Sequence, residues 1–218
     1  MAEIGIYEAM RTLRAVRRLR PDPIPDEVLR RVLEAATWAP TGGNRQPWRI
    51  IVIKESGLKE KLGKLYSEVW TPFAKMYREA APVDEATRRR FSRTLDAGDY
   101  LAANFGRTPV IAVFCFNPQQ MAITDGKLDR PSVVGGGSVY PAVENLLLAC
   151  RAEGLGCVLT TLLCQREPEV RELLAIPQPW GTAAAIPIGY PVGRGHGSLV
   201  RRSLTELSYL DTWGKHFS

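Results

Sequence analysis

Residues 39–48, Ala-Pro-Thr-Gly-Gly-Asn-Arg-Gln-Pro-Trp, force the chain out of a helix and into a strand within ten positions, which is the tightest constraint on its fold. Upstream, Val28, Val32, Leu33 and Ala36 recur at three- to four-residue spacing and predict an amphipathic helix, with Asp26 where its N-cap belongs. Pro40 restricts Ala39 to extended conformations and ends that helix. Thr41 leads into Gly42 and Gly43, which permit positive φ and close approach of a ligand to the main chain. Asn44 and Gln46 each carry an amide that donates and accepts, which suits the alternating C=O and N–H edge of a pyrimidine-like ring. The β-branched run 49–53 then reads as a buried strand. The plainer alternative is a loop whose amides only tie off the turn.

A second signal lies in residues 10–26, where Arg11, Arg14, Arg17, Arg18 and Arg20 precede Pro21-Asp22-Pro23. On a helix Arg14 and Arg18 share a face, with Arg11 one turn earlier. Such a face is ordinarily solvated, but an arginine that turns inward needs an anion, and phosphate is the natural one. The net charge of +6 raises the question of nucleic acid. Arg88, Arg89, Arg90 and Arg93 have acidic neighbours, and no zinc-finger, homeodomain or RNA-binding signature is present, so no nucleic-acid partner is expected. The 218 residues suffice for one domain, 1–218, with a substantial core. No secretion-signal pattern and no membrane-length apolar run stands out, so a cytoplasmic protein is expected.

Three stretches together resemble the flavin-dependent nitroreductase family: PDPIPDEVLRRVLEAATWAPTGGNRQPWRIIVI after the arginine-rich segment, GGGSVYPAVENLLLACRAEGLGCVLTTL in the middle, and AAAIPIGYPVGR followed by VRRSLTEL near the end. The resemblance covers most of the chain apart from about 55–108. It implies an α+β fold with a central, mostly antiparallel sheet flanked by helices. It also implies an intertwined homodimer with active sites at the interface, in which residues 200–218 extend onto the partner subunit. FMN is the implied cofactor, with NAD(P)H as co-substrate and a nitroaromatic, quinone or activated alkene as acceptor. Hydride passes through flavin N5 in two half-reactions, and no catalytic side chain is required.

Carried over by position, the resemblance assigns Pro40, Thr41, Gly42, Gly43, Asn44 and Gln46 to the loop that cradles the flavin. Arg17 falls near the pyrimidine end, where a positive charge stabilises the reduced anionic flavin. Family members present an Arg-Arg-Ser or Arg-His-Ser triplet to the phosphate, and here those positions are Leu13, Arg14 and Ala15. Arg14 therefore stands alone in that segment, with Arg11 or Arg18 as alternatives if the register differs by a residue. Arg201 aligns with the arginine that completes the phosphate site, and Arg202 is a substitute for what Leu13 and Ala15 do not supply. Thr160 and Thr161 fall beside the reactive central ring.

Further expectations follow along the chain. Tyr140, Val143, Leu146, Leu147, Ala149 and Cys150 trace an apolar core or interface helix that a glycine cap ends at Gly154. Strands are predicted at 49–53, 110–116, 157–163 and 183–189, with Pro187 marking an edge or an irregularity. Cys115, Cys150, Cys157 and Cys164 read as small buried hydrophobes, and no metal site is predicted. His196 and His216 have no identifiable partner in the sequence. Segment 55–108 reads as two or three helices whose aromatics are more often packing residues; by resemblance it is the variable substrate lid, with Trp70, Phe73 and Tyr77 as contacts. The rival readings are a flavin-binding protein without turnover, a flavin- and oxygen-using relative, and a dehalogenating one.

Overall fold

The computed structural model describes residues 4–80 and 84–217. In chain order the elements are α1 (Ile6–Thr12), α2 (Asp26–Thr37), β1 (Trp48–Ile53), α3 (Ser56–Glu79), α4 (Glu85–Asn104), β2 (Val110–Phe116), α5 (Tyr140–Ala152), β3 (Gly156–Cys157), α6 (Glu167–Leu173), β4 (Gly181–Gly189) and α7 (Leu204–Leu207). The four strands form one antiparallel sheet in the order β1-β2-β4-β3. Alternation along β2 sorts the core into two layers. Val110, Ala112 and Phe114 face the cluster built with α2 and α5, while Ile111, Val113 and Cys115 face the one built with α3 and the turn Phe105–Arg107. Helices on both faces of an antiparallel sheet make the predicted α+β architecture.

The α2 periodicity holds: Leu29, Val32 and Ala36 are buried, and Val28 and Leu33 pack at their margin. Asp26 is not the cap. Pro25 occupies that position, and Asp26 opens the helix, favourably placed against its positive end and 2.5 Å from Lys54 Nζ. α5 ends as predicted. Gly154 adopts φ 72°, its N–H reaches the Arg151 carbonyl at 3.2 Å and that of Leu155 reaches Cys150 at 2.8 Å, the two bonds of a Schellman motif.

Two expectations need correction. The predicted strand 157–163 shrinks to Gly156–Cys157 and a single bridge in which Thr160 and Ala185 exchange main-chain bonds at 3.1 and 2.8 Å. Residues Leu162–Arg166 form a 3-10 turn instead. Pro187 supplies the reason. It sits in β4, an interior strand, two residues from Ala185, so its position points to the same side and offers no N–H where Val158 and Leu159 pass. Pro187 thus marks an irregularity, not an edge. Of the N-terminal arginines only Arg11 lies in a helix, because α1 stops at Thr12. The following segment is extended: Val16 N–H bonds Cys157 O at 2.9 Å, and Arg20 N–H bonds Tyr190 O at 2.8 Å. Val16 and Leu19 settle on Gly156, where a Cβ would lie 2.7 and 2.9 Å from them.

α3 and the Phe105–Arg107 turn touch main chain to main chain. A Cβ on Gly106 would stand 2.8 Å from Lys59 O and 2.9 Å from Glu60 Cα, and one on Gly63 would stand 2.8 Å from Gly106 N. Backbone cannot swing aside as a side-chain tip does. Gly106→Ala is therefore expected to cost about 1–3 kcal/mol in a urea titration. An unchanged midpoint would show that the turn can withdraw freely.

Beyond β4 the chain returns across the N-terminal segment and then leaves the core. Ser203 and Glu206 form a capping box on α7. Leu204, Leu207, Leu210, Trp213 and Phe217 are all exposed, Trp213 by 89%.

Candidate functional site

The loop before β1 holds an uncommon backbone. Gly43, Asn44 and Gln46 adopt φ of 58°, 52° and 48°. Left-handed conformations in residues with a Cβ cost on the order of 1 kcal/mol each and persist where surrounding bonds over-determine them. Those bonds are present. Gln46 N–H donates to Thr41 Oγ1 at 3.0 Å, Gly42 N–H to Ser138 Oγ at 3.2 Å, and Arg49 Nη1 to Gln46 O at 3.1 Å. Gln46 Nε2 donates to Asn44 Oδ1 at 3.1 Å and to Asn44 O at 3.2 Å. Among the described residues this leaves Asn44 Nδ2 and Gln46 Oε1, one donor and one acceptor, uncommitted on an exposed loop. Pro40 and Thr41 form its entry, with Thr41 extended at φ −140°.

Arg17, Tyr66 and Thr160 form a second group. Arg17 is half-buried and has no carboxylate partner among the described residues. Burial lowers its pKa, and Tyr66 works the other way. Tyr66 is buried, stacked on Phe105 with ring centroids 4.3 Å apart. Its hydroxyl is pushed up by burial, while the Thr160 side chain and the Arg17 charge favour the ionised form. A desolvated guanidinium without a counter-ion is what an anionic or carbonyl-rich ligand would complete. Thr161, next along, is exposed and lines a cavity of about 530 Å³ with Tyr140, Cys164 and Thr182.

The remaining predicted residues divide. Arg14 is exposed beside the returning chain, with its Nη1 3.8 Å from where a Cβ on Gly197 would lie. Leu13 packs on the core and Ala15 pairs with Cys157, so both positions where the family places phosphate ligands serve the fold. Arg201 and Arg202 are exposed, Arg201 bonding Val200 O at 3.0 Å, and neither forms an ion pair among the described residues. Trp70, Phe73 and Tyr77 join Phe91 in a run of aromatic pairs between α3 and α4, with centroids 5.7, 4.4 and 6.0 Å apart. Trp70 Nε1 also donates to Asp99 Oδ1 at 2.7 Å. These three residues form the seam of a helical hairpin.

His196 corrects the sequence reading, since it has two partners, Leu155 O and the Arg14 amide. His216 meets Thr205 O at 2.7 Å. Tyr66 was missed altogether; only its helical spacing from Leu62 and Val69 signals burial. All four cysteines are free, and burial raises the thiols of Cys150, Cys164 and Cys115, the last to about 11, as expected of inert thiols. Among the described residues no cluster has metal-binding composition, and no helix is long and apolar enough to cross a membrane.

The two groups sit on opposite sides of the sheet's strand order. The amide loop lies beyond the Trp48 end of β1, in the row of Phe116 and Gly181, whereas Thr160 lies past β4 opposite Ala185. Strand geometry puts Thr160 roughly 14 Å across the strands and roughly 10 Å along them from Trp48, where the loop joins β1.

The model of the nitroreductase family matches residues 10–190. A Thermus thermophilus protein named NADH dehydrogenase is 31% identical over 190 residues, 85% of this chain and 86% of that one. Among solved structures, a putative nitroreductase in complex with FMN from Desulfovibrio desulfuricans superposes with a TM-score of 0.65 at 24% identity, covering 97% of this chain and 99% of the other. Oxidised iodotyrosine deiodinase bound to FMN and 3-iodo-L-tyrosine superposes with a TM-score of 0.69 at 22% identity, covering 91% and 96%. With four-fifths of its length matched by the family model, and with the helix–sheet–helix layering that these structures share, this chain belongs to the nitroreductase family.

Proposed function

We propose that the protein is an FMN-dependent oxidoreductase that takes reducing equivalents from NAD(P)H, and that its sites are completed between two copies of the chain. One observation carries the reading. The loop amides and Arg17 both suit the pyrimidine edge of a flavin, yet one chain holds them too far apart to meet on one ring. A second copy that brings its loop to this chain's Arg17 resolves the conflict.

Other features support a pairing. A groove of about 820 Å³ between α1, α2 and α5 is lined by Ile6, Ala9, Trp38, Leu148 and Ala149, with Trp38 73% exposed. The tail beyond α7 presents apolar residues that its own core does not cover. Apolar surface left open on this scale marks an interface.

In this arrangement Asn44 and Gln46 give the ring edge one donor and one acceptor. Arg17 offsets negative charge at that edge in a poorly hydrated setting, where its effect is large. Thr161 offers its main-chain N–H to the central ring beside Thr160, whose own N–H and C=O are taken by Ala185, and Arg14, with Arg201 and Arg202, faces the phosphate. When bound, FMN would supply the redox chemistry, accepting hydride from NAD(P)H and passing it to a nitroaromatic, quinone or activated alkene. Choice among acceptors is assigned to the α3–α4 hairpin.

The purified protein should be yellow, or turn yellow with added FMN. NADH or NADPH without air should bleach it, and one of the three acceptor types should restore the colour. A preparation that stays colourless in excess FMN would overturn the reading. Colour without bleaching would replace it with a flavin-binding protein that does not turn over.

A further inference from the structure

His196 ties three elements together at the end of the sheet where Arg14 lies. It is 8% exposed, in the loop that follows β4. Its Nε2 lies 2.8 Å from Leu155 O, just past α5, and its Nδ1 accepts the Arg14 N–H at 3.4 Å. A carbonyl can only accept, so Nε2 carries the proton and Nδ1 is bare. The neighbouring main chain repeats the connection, because Gly197 N–H donates to Thr12 O at 3.0 Å. From α5, Arg151 Nε donates to Thr12 Oγ1 at 2.9 Å. Residues 12–14 are thus held from two sides at the point where α1 gives way to extended chain.

With Leu13 and Ala15 committed to the fold, Arg14 is the only member of its triplet able to reach a phosphate. A single guanidinium contributes in proportion to how well its backbone is fixed beforehand. We propose that His196 is a positioning residue for the phosphate contact of Arg14, acting as the neutral Nε2–H tautomer that links the Arg14 amide to the Leu155 carbonyl. This rests on the flavin mononucleotide reading above.

Two charged groups face the ring: Arg14 from the N-terminal segment and Arg151 from α5. Among the described residues no carboxylate acts on it. Burial holds its pKa below the ordinary histidine value; the Leu155 carbonyl opposes this, and the two arginines add to it. The sign follows directly. The neutral link is intact above the unfolded histidine value and is lost as pH falls through the lower folded one. Protonation would set an N–H against the Arg14 N–H and a cation beside two guanidiniums.

The test compares FMN with riboflavin, which lacks the phosphate, binding to apoprotein between about pH 8 and about pH 5. His196→Phe should weaken FMN about tenfold at the upper pH and leave riboflavin unchanged. His196→Gln offers an acceptor and a donor without titrating, so it should keep wild-type FMN affinity at the upper pH. Phosphate itself gains a proton near pH 6, a loss common to both proteins. The wild type should therefore lose more FMN affinity on acidification than His196→Gln. Equal weakening of both flavins, a wild-type affinity in His196→Phe, or identical acid profiles would each overturn the proposal. Should His196→Phe fail to fold, the Gln profile alone decides. Wild-type protein that binds neither flavin would overturn the cofactor reading itself, and this inference with it.

Discussion

Two defective chains, one carrying Arg17→Ala and the other Asn44→Ala with Gln46→Ala, are expected to restore each other when produced together. Alone, each should hold FMN poorly, because every site in its homodimer lacks one half of the ring-edge contacts. Mixed at random, half of the dimers are heterodimers. In each of these, one site combines the intact loop of one chain with the intact arginine of the other, so about a quarter of all sites recover. The readout is flavin retained after gel filtration, together with NAD(P)H-dependent bleaching. If each chain built its site alone, every heterodimer site would carry one lesion and nothing would be regained. No recovery in heterodimers isolated by two affinity tags would end the shared-site reading. The separation of the amide loop from Thr160 by most of the sheet makes the result decisive either way.

Phe114→Ala is expected to cost about 3–5 kcal/mol, a large share of the roughly 5–15 kcal/mol that holds a domain together. Phe114 is fully buried in β2, between β1 and β4, and its ring lies 6.0 Å from that of Trp48. Its neighbours are held by two ladders and by α2 and α5, so the space left by a phenyl ring cannot close readily. Trp48 would lose an aromatic neighbour at the strand end that carries the amide loop, and loss of flavin should accompany the loss of stability. Urea unfolding of the apoprotein at fixed protein concentration measures the first effect. A change below about 1 kcal/mol would mean that the two layers collapse inward to fill the gap.

Much of this was legible in the chain. The spacing of Val32 and Ala36, the β-branched run after Trp48 and the glycine after α5 each carry a local signal, and each element formed where that signal lay. The amide loop was readable for the same reason, since its turn chemistry is written in ten consecutive residues. What escaped depended on distant partners. Arg14 and Arg18 look helical by spacing, but main-chain bonds to Cys157 and Tyr190 draw that segment into extended form. Strand signal at 157–163 was real, yet Pro187, a neighbour only in space, withholds the N–H needed to continue the ladder. His196 looked solitary because both its partners lie far off in sequence. Tyr66 was hidden among residues of the same helix that merely pack.

The contact between Gly63 and Gly106 bears on how this chain can diverge. Each glycine blocks a side chain at or beside the other through main-chain atoms, so no trimming of a neighbouring residue can make room. A lineage that acquires alanine at either place must part α3 from the turn, disturbing the stack of Tyr66 on Phe105 and with it the surroundings of Arg17. Drift at this pair of positions is thereby tied to the setting of a guanidinium that lies elsewhere in the sequence.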